Sequence, residues 1–267
     1  MKKVVIITGA SSGIGLACAK EFAAKGYIVV MAARSIEKLK VVESEINASG
    51  NEAWSVKADV SSEDDCKNLI NKTIEKYRRI DVLINNAGIS MRALFKDLDL
   101  KVLHSLMNTN FWGTVYCTKY ALPYILKNEG SIVGVSSIAG FMGLPGRTGY
   151  SASKFAIHGF LETLRVEHLK QNLHVMIAAP GFTSSNIRKV ALNGEGTMQG
   201  ESPRKEEKMM SAEEVARHIA NGVAKRKKLL ILTLQGKLAV FLRKFVPSFI
   251  DKMEYNMMKN EPDSPLV

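Results

Sequence analysis

The fold is read from Val4-Val5-Ile6-Ile7-Thr8-Gly9-Ala10-Ser11-Ser12-Gly13-Ile14-Gly15, an apolar run that ends in a glycine-rich turn and opens a helical pattern. Four consecutive β-branched residues suit a strand buried on both faces. Glycine lets the backbone turn tightly and approach a ligand with no Cβ in the way. The free N–H groups and the dipole of the helix that follows favour a pyrophosphate here. The spacing is Gly-x3-Gly-x-Gly, distinct from the Gly-x-Gly-x2-Gly of the best-known dinucleotide fingerprint. A plain structural turn would use the same glycines. Their place between the first strand and the first helix of an alternating chain is what gives them weight.

Outward from that turn, short apolar runs alternate with longer helical patterns. Strands are expected at 3–8, 27–32, 53–58, 80–85, 130–136 and 173–179, with a weaker one at 228–232. Helices are expected at 13–25, 36–49, 62–78, 100–126 and 150–171. Strands as apolar as Ile28-Val29-Val30-Met31-Ala32 belong in a parallel sheet covered on both faces. The expected fold is therefore α/β: a doubly wound, Rossmann-type parallel sheet of about seven strands with helices on both faces, plus a C-terminal helical tail. One catalytic domain is expected over 1–235 and an amphipathic extension over 236–267. Residues 183–210 are rich in Ser, Gly, Lys and Glu and break the apolar period. A loop of that length in a compact domain is usually functional, and it is expected to be a substrate lid. Residues 211–224 resume as a helix opened by Ser211, with Glu214 as capping-box partner.

The chain has 267 residues, enough for one large α/β domain. Cys18, Cys66 and Cys117 are too scattered for a disulfide framework or a zinc site and are expected to be buried free thiols. The start, Met1-Lys2-Lys3 followed by Val4 to Ile7, resembles a secretory signal, but the apolar stretch breaks at Thr8-Gly9. The net charge is +11, and residues 204–252 carry twelve Lys/Arg against five Asp/Glu. Nucleic acid, anionic lipid and an acidic carrier protein are candidate partners for such a surface, beside a merely solvated basic face. Nucleic acid is set aside, because the basic residues join no aromatic platform or reading motif. The five histidines show no ligand spacing, and no metal is expected.

Further motifs follow the glycine turn in order. Asp59-Val60 follows the third strand, and Asn85-Asn86-Ala87-Gly88 the fourth. Asn110 lies within Asn108-Thr109-Asn110-Phe111-Trp112-Gly113. Ser136-Ser137 ends the fifth strand, Tyr150-x3-Lys154 opens a helix, and Pro180-Gly181 follows the sixth strand. In this set and order the chain resembles the short-chain dehydrogenases/reductases of classical type, over roughly residues 1–182. The resemblance implies a cofactor groove formed by Gly9, Ser11, Ser12, Gly13, Ile14 and Gly15, with Asp59 and Val60 at the adenine. It places Asn86, Ala87 and Gly88 along the groove and Pro180, Gly181 and Thr183 along the nicotinamide. It implies a tetrad of Asn110, Ser137, Tyr150 and Lys154, in which Asn110 holds a water linking Lys154 to solvent. Asn85 and Asn86 could also serve only to tie strands together.

The residues themselves argue for NADP over NAD. An NAD site presents a carboxylate at the end of the second strand. Here that strand ends Met31-Ala32-Ala33-Arg34-Ser35, and the first carboxylate is Glu37. The Arg34 fork, the Ser35 hydroxyl and the helix start suit a 2′-phosphate. Tyr150 and Lys154, four apart, share one helix face. A nearby ammonium would lower the phenol's pKa and fit Tyr150 for proton transfer to or from a substrate oxygen. Ser137 would donate to that oxygen as charge develops.

Phe141, Met142, Leu144, Phe182 and Ile187 point to an apolar pocket, and the nearest likeness is the hydroxysteroid- and retinoid-dehydrogenase-like branch. A carbonyl or alcohol on a lipid-like small molecule is the expected substrate. A 3-oxoacyl group on a carrier protein is the alternative, and a non-catalytic NADP(H) sensor is the alternative of another class. No N-terminal anchor of the kind carried by many members of that branch is expected, and the expected location is cytoplasmic, with peripheral membrane contact as an option. In the tail, Leu238, Phe241, Leu242 and Phe245 form one apolar face, continued by Phe249, Ile250, Met253 and Met257. This face either packs on the substrate loop or a partner subunit, in a homodimer or homotetramer as is usual for the family, or lies in a membrane interface.

Overall fold

A computed structural model of the chain describes residues 1–183, 187–200 and 209–266. In chain order the elements are β1 (Val4–Thr8), α1 (Gly13–Ala24), β2 (Ile28–Ala33), α2 (Ile36–Ala48), β3 (Glu52–Lys57), α3 (Glu63–Tyr77) and β4 (Val82–Asn85). There follow α4 (Leu100–Leu106), α5 (Gly113–Lys127), β5 (Ser131–Val135), α6 (Thr148–Glu167) and β6 (His174–Ala179). The remainder is α7 (Ala212–Ala224), β7 (Leu229–Ile231), α8 (Leu234–Leu242) and α9 (Pro247–Lys259). The strands form one parallel sheet in the order β3-β2-β1-β4-β5-β6-β7. This is the expected doubly wound sheet with a helical tail.

Side chains alternate across the sheet with period two. Val5 and Ile7 of β1 face α1, α2 and α7, where Phe22, Leu39 and Ile219 pack. Val4 and Ile6 face the opposite layer of α3, α5 and α6, packing with Leu69, Cys117 and Leu161. Both faces are dry, so each strand reads as a continuous apolar run. The strand order reverses between β1 and β4, which opens a crevice beyond their carboxyl ends. Ile14, Asn86, Gly88, Ser137, Tyr150, Lys154 and Gly181 line a cavity there.

Three details bear on the expectation. The helix expected over 100–126 is not uniform. A π-helical stretch, Met107–Trp112, joins α4 to α5 and widens the turn around Asn110. Residues 184–186 and 201–208 of the expected lid lie outside the described residues. The part between them is tied to the body: Leu192 N–H donates to Ser90 O, Arg92 N–H to Leu192 O and Asp99 N–H to Gly194 O. The described part of the expected lid is thus anchored through its backbone.

The third detail is the tail, whose apolar residues split into two faces. Ile250 and Met258 of α9 point inward and are buried. Gly236 of α8 packs so closely on Ile138 that a Cβ would come within 2.6 Å of its Cδ1. Leu238, Phe241, Phe245, Phe249 and Met253 point outward and stay exposed. Ile250 therefore does not continue the face of Phe249, and among the described residues the outer face stays exposed. Among the described residues, no helix is long and apolar enough to cross a membrane.

Candidate active site

The glycine turn is built as an anion cradle. Gly9 has φ of 67°, a region that favours glycine, and a Cβ there would lie 2.8 Å from Ala87 Cα. Gly15 sits closer still: a Cβ would stand 2.3 Å from Gly9 O. Ser12 occupies the N-cap of α1 but makes no side-chain cap, and the first turn holds no acidic residue. The leading N–H groups, including those of Gly13 and Ile14, therefore face an electropositive opening that suits a pyrophosphate. Ser11 lies in the turn itself, and Ile14 lines the cavity beside it.

Thr8 and Asn86 fasten this turn to β4. The amides of Asn86 and Ala87 both donate to Thr8 Oγ1 at 3.0 Å, and Asn86 Nδ2 donates to Thr8 O at 2.9 Å. Asn86 thus ties strands together and also lines the cavity with Gly88. Asn85 is purely internal, donating to Thr118 Oγ1. Asp59 shapes its own turn by accepting from Ser61, and Val60 is buried against Gly113. Arg34 is exposed at the end of β2. Ser35 caps α2, accepting from Lys38 N–H while donating to Glu37 Oε2 at 3.1 Å. Its hydroxyl is already engaged, so Arg34 is the stronger phosphate candidate of the two.

The reacting end lies where α6 meets the end of β5. Tyr150 and Lys154 project from the first turns of α6 into one cavity, with Ser137, Pro180, Gly181 and Thr183 across from them. Lys154 Nζ donates to Val135 O at 2.9 Å and sits 5.6 Å from the centre of the Tyr150 ring. Ser137 caps a short 3-10 turn, its Oγ accepting from Ala139 N–H at 3.2 Å, and it hydrogen-bonds to the Tyr150 phenol. The widened turn presents Asn110, whose Oδ1 accepts from Ile89 N–H at 2.8 Å. Its Nδ2 donates to Ile89 O and to Ser153 Oγ. Ser153 in turn donates to Tyr150 O, so Asn110 braces the loop after β4 against the first turn of α6. Thr183 is held through its carbonyl by Arg188 Nη2 at 2.8 Å.

Electrostatics here differ from the simple pairing of phenol and ammonium. Burial pushes the Tyr150 phenol up from its ordinary value, because desolvation disfavours phenolate. The Ser137 hydrogen bond, then Arg147 and Arg188, pull it back in part. Lys154 is not among the opposing causes. Burial brings its own ammonium down to about 8. Next on the same face, His158 is pushed down to about 4, by burial and then by Lys154. It is neutral near pH 7, with Nε2 2.7 Å from Ser136 Oγ.

The cavity wall includes the apolar Leu144, Phe182 and Ile187. Phe141 and Met142 are not on it: Phe141 packs edge-on against His158, and Met142 is fully buried. Sequence reasoning missed Ser90, Arg147 and Arg188, which do line the cavity. Arg147 stands three residues before Tyr150, a spacing that could have flagged it.

A family model described as short chain dehydrogenase matches residues 3–195. The chain belongs to that family. Among curated relatives, this short chain dehydrogenase is 36% identical over 253 residues to dehydrogenase/reductase SDR family member 7B of Xenopus tropicalis, covering 92% of the chain and 82% of the relative. It is 34% identical over 257 residues to 11-beta-hydroxysteroid dehydrogenase 1A of Arabidopsis thaliana, covering 93% and 73%. Its fold matches that of a short chain dehydrogenase/reductase from Burkholderia phymatum in complex with NAD, with TM-score 0.83, 22% identity and 93% and 95% coverage. The protein is thus an NAD(P)-dependent oxidoreductase acting on alcohol and carbonyl groups, and its substrate is a small molecule.

Proposed function

We propose that this short chain dehydrogenase uses NADP(H) to interconvert a carbonyl and a secondary alcohol on an apolar, lipid-, steroid- or retinoid-like substrate. The observation that carries the reading is one cavity shared by Tyr150, Lys154 and Ser137 with the apolar side chains of Leu144, Phe182 and Ile187. When bound, the nicotinamide supplies or accepts the hydride. Tyr150 gives the carbonyl oxygen a proton in reduction and takes it from the alcohol in oxidation. Ser137 donates to the same oxygen as charge develops. Lys154 holds the nicotinamide ribose, while Asn110 keeps the loop after β4 and the start of α6 in register. Residues 1–235 act as the catalytic domain and 236–267 as its extension.

The test is a panel of apolar ketones and alcohols followed by NAD(P)H absorbance with both cofactors. Turnover of steroid-, retinoid- or fatty-chain carbonyls supports the reading. Turnover confined to 3-oxoacyl thioesters overturns the substrate class, and binding of NADPH with no turnover points to a sensor. The choice of NADP rests on Arg34 and on the absence of a carboxylate at the end of β2. Replacing Ala33 by Asp and Arg34 by Leu should move preference towards NAD(H) by about one to two orders of magnitude in affinity, the worth of a charge-assisted phosphate contact. Equal kinetics of the unaltered enzyme with NAD(H) and NADP(H) would sink the assignment.

The same proposal extends to location: a cytoplasmic enzyme, dimeric or tetrameric, that rests peripherally on an anionic membrane through the outer face of α8 and α9. Support comes from the exposed Leu238, Phe241, Phe245, Phe249 and Met253 with Lys237, Lys244 and Lys252 beside them. Deleting the tail would also uncover the contacts of Ile250 and Met258, so the outer face itself is altered. The unaltered enzyme should sediment with phosphatidylserine vesicles, and a variant with Phe241, Phe245 and Phe249 all changed to Asp should stay in solution and keep its activity. Indifference of the unaltered enzyme to vesicles, with a changed oligomeric state in the variant, would make the face a subunit contact.

A further inference from the structure

Arg147 stands at the entrance to α6, in the N-cap position, yet its side chain caps nothing there. It is turned inward and buried, with its guanidinium at the wall of the cavity that holds Tyr150. Nη1 donates to Ser90 Oγ at 3.0 Å and to Met91 O at 3.1 Å. A planar fork held at two points by the loop after β4 cannot swing out to solvent as a surface arginine does. Burying a cation is costly, and a fold that does so beside its reacting group makes use of the charge.

We propose that Arg147 is a positioning residue for the reaction: its guanidinium, fixed by Ser90 and Met91, keeps a permanent positive charge beside Tyr150 and favours the phenolate that accepts the substrate's proton. The inference rests on the acid/base reading of Tyr150 and adds to it a fixed source of charge. Lys154 alone is a weak guarantor of the phenolate. Its ammonium is brought down to about 8 by burial, so it fades in the alkaline range where a phenol begins to ionise. Arginine stays charged throughout that range. The guanidinium of Arg147 is among the causes that oppose the upward push of burial on Tyr150.

Among the described residues, these groups stand around the phenol. From α6 come Lys154 and Arg147, from the segment after β6 Arg188, and from the end of β5 the neutral Ser137 hydroxyl. The side towards α4 is apolar, with Met91, Val102 and Leu106 packed against the ring. From the chain beyond α9, Glu261 is paired with Arg92 at 3.5 Å. Among the described residues, the charges that act on Tyr150 are those of Arg147 and Arg188, and Arg147 is anchored directly to the loop after β4.

The experiment is the pH profile of kcat/KM for alcohol oxidation by the intact enzyme, whose acid limb reports the ionisation of Tyr150. Removing a nearby positive charge raises a phenol's pKa. Arg147→Gln should therefore move the limb to higher pH by about one unit, which reads as about a tenfold loss on its acid side. Arg147→Lys keeps a charge without the fork and should move it part of the way. NADPH affinity should change little in either. A variant that loses rate while its limb stays in place has only a structural fault, and that result overturns the proposal. If Arg147→Gln does not fold, the lysine variant carries the comparison, and an unmoved limb there also overturns it. Tyr150→Phe is run alongside: normal turnover in that variant would fail the acid/base reading itself, a different outcome from an inactive Tyr150→Phe with an unmoved Arg147→Gln limb.

Discussion

Tyr150→Phe is expected to lower turnover by about 10²–10⁴-fold, the usual worth of a positioned acid/base group, while leaving NADPH binding intact. The substitution removes one oxygen and keeps the ring that packs against Met91, Val102 and Leu106, so the fold should be unaffected. The effect should fall on kcat, because the proton moves in the transition state and contributes little to ground-state binding. Single-turnover kinetics with saturating NADPH separate the two. Near-normal turnover in the variant would place the proton donor elsewhere, with Ser137 the first residue to examine.

Lys154→Met should abolish activity and yet make the protein more stable at neutral pH. The folded state brings the ammonium from its ordinary 10.5 down to about 8, which corresponds to about 3 kcal/mol of burial cost below pH 8. Methionine removes that cost and gives up the hydrogen bond to Val135 O, worth about 1 kcal/mol. A net gain of about 2 kcal/mol at pH 7 should raise Tm by roughly 4 °C or more. Between pH 8 and 10.5 only the unfolded chain holds the proton, so the unaltered protein gains stability as pH rises. The advantage of the variant should shrink to near zero by about pH 10. Urea unfolding at pH 7 and pH 10 reads this out. A variant less stable than its parent at pH 7 would mean that the buried ammonium is compensated by its surroundings. The same residue would then cost nothing in stability to keep for catalysis.

Much of this was legible in the sequence because the sheet is buried on both faces. Runs such as Ile28 to Ala33 have no polar alternation to blur them, and the strand boundaries fall within two residues of expectation. The four residues proposed as the tetrad stand out by their spacing. Tyr150 and Lys154 are one helical turn apart, and Ser137 and Asn110 sit within distinctive short motifs. What escaped depends on contacts distant in sequence. Arg147 reads as a surface arginine until Ser90 and Met91, some 57 residues away, are seen to hold it. The sign of the shift on Tyr150 depends on how completely the phenol is enclosed, which spacing alone does not convey. In the tail, Phe249 and Ile250 are adjacent and equally apolar. Only packing decides which of them faces inward.

The π-helical stretch at Met107–Trp112 acts as a phase adjuster between two helices. An α-helix advances about 100° per residue, and the wide turn absorbs one residue more than an α-turn would. Deleting a single residue between 107 and 109 would let the segment close into regular helix and leave the phase of α5 relative to α4 unchanged, because the residue removed is the one that the wide turn absorbs. Cys117, Ala121 and Ile125 would still face the sheet, while the turn that presents Asn110 to Ile89 would be lost. The bracing of the loop after β4 depends on that extra residue, and the packing of α5 does not. A one-residue deletion in this stretch is therefore expected to spare the fold and unseat Asn110.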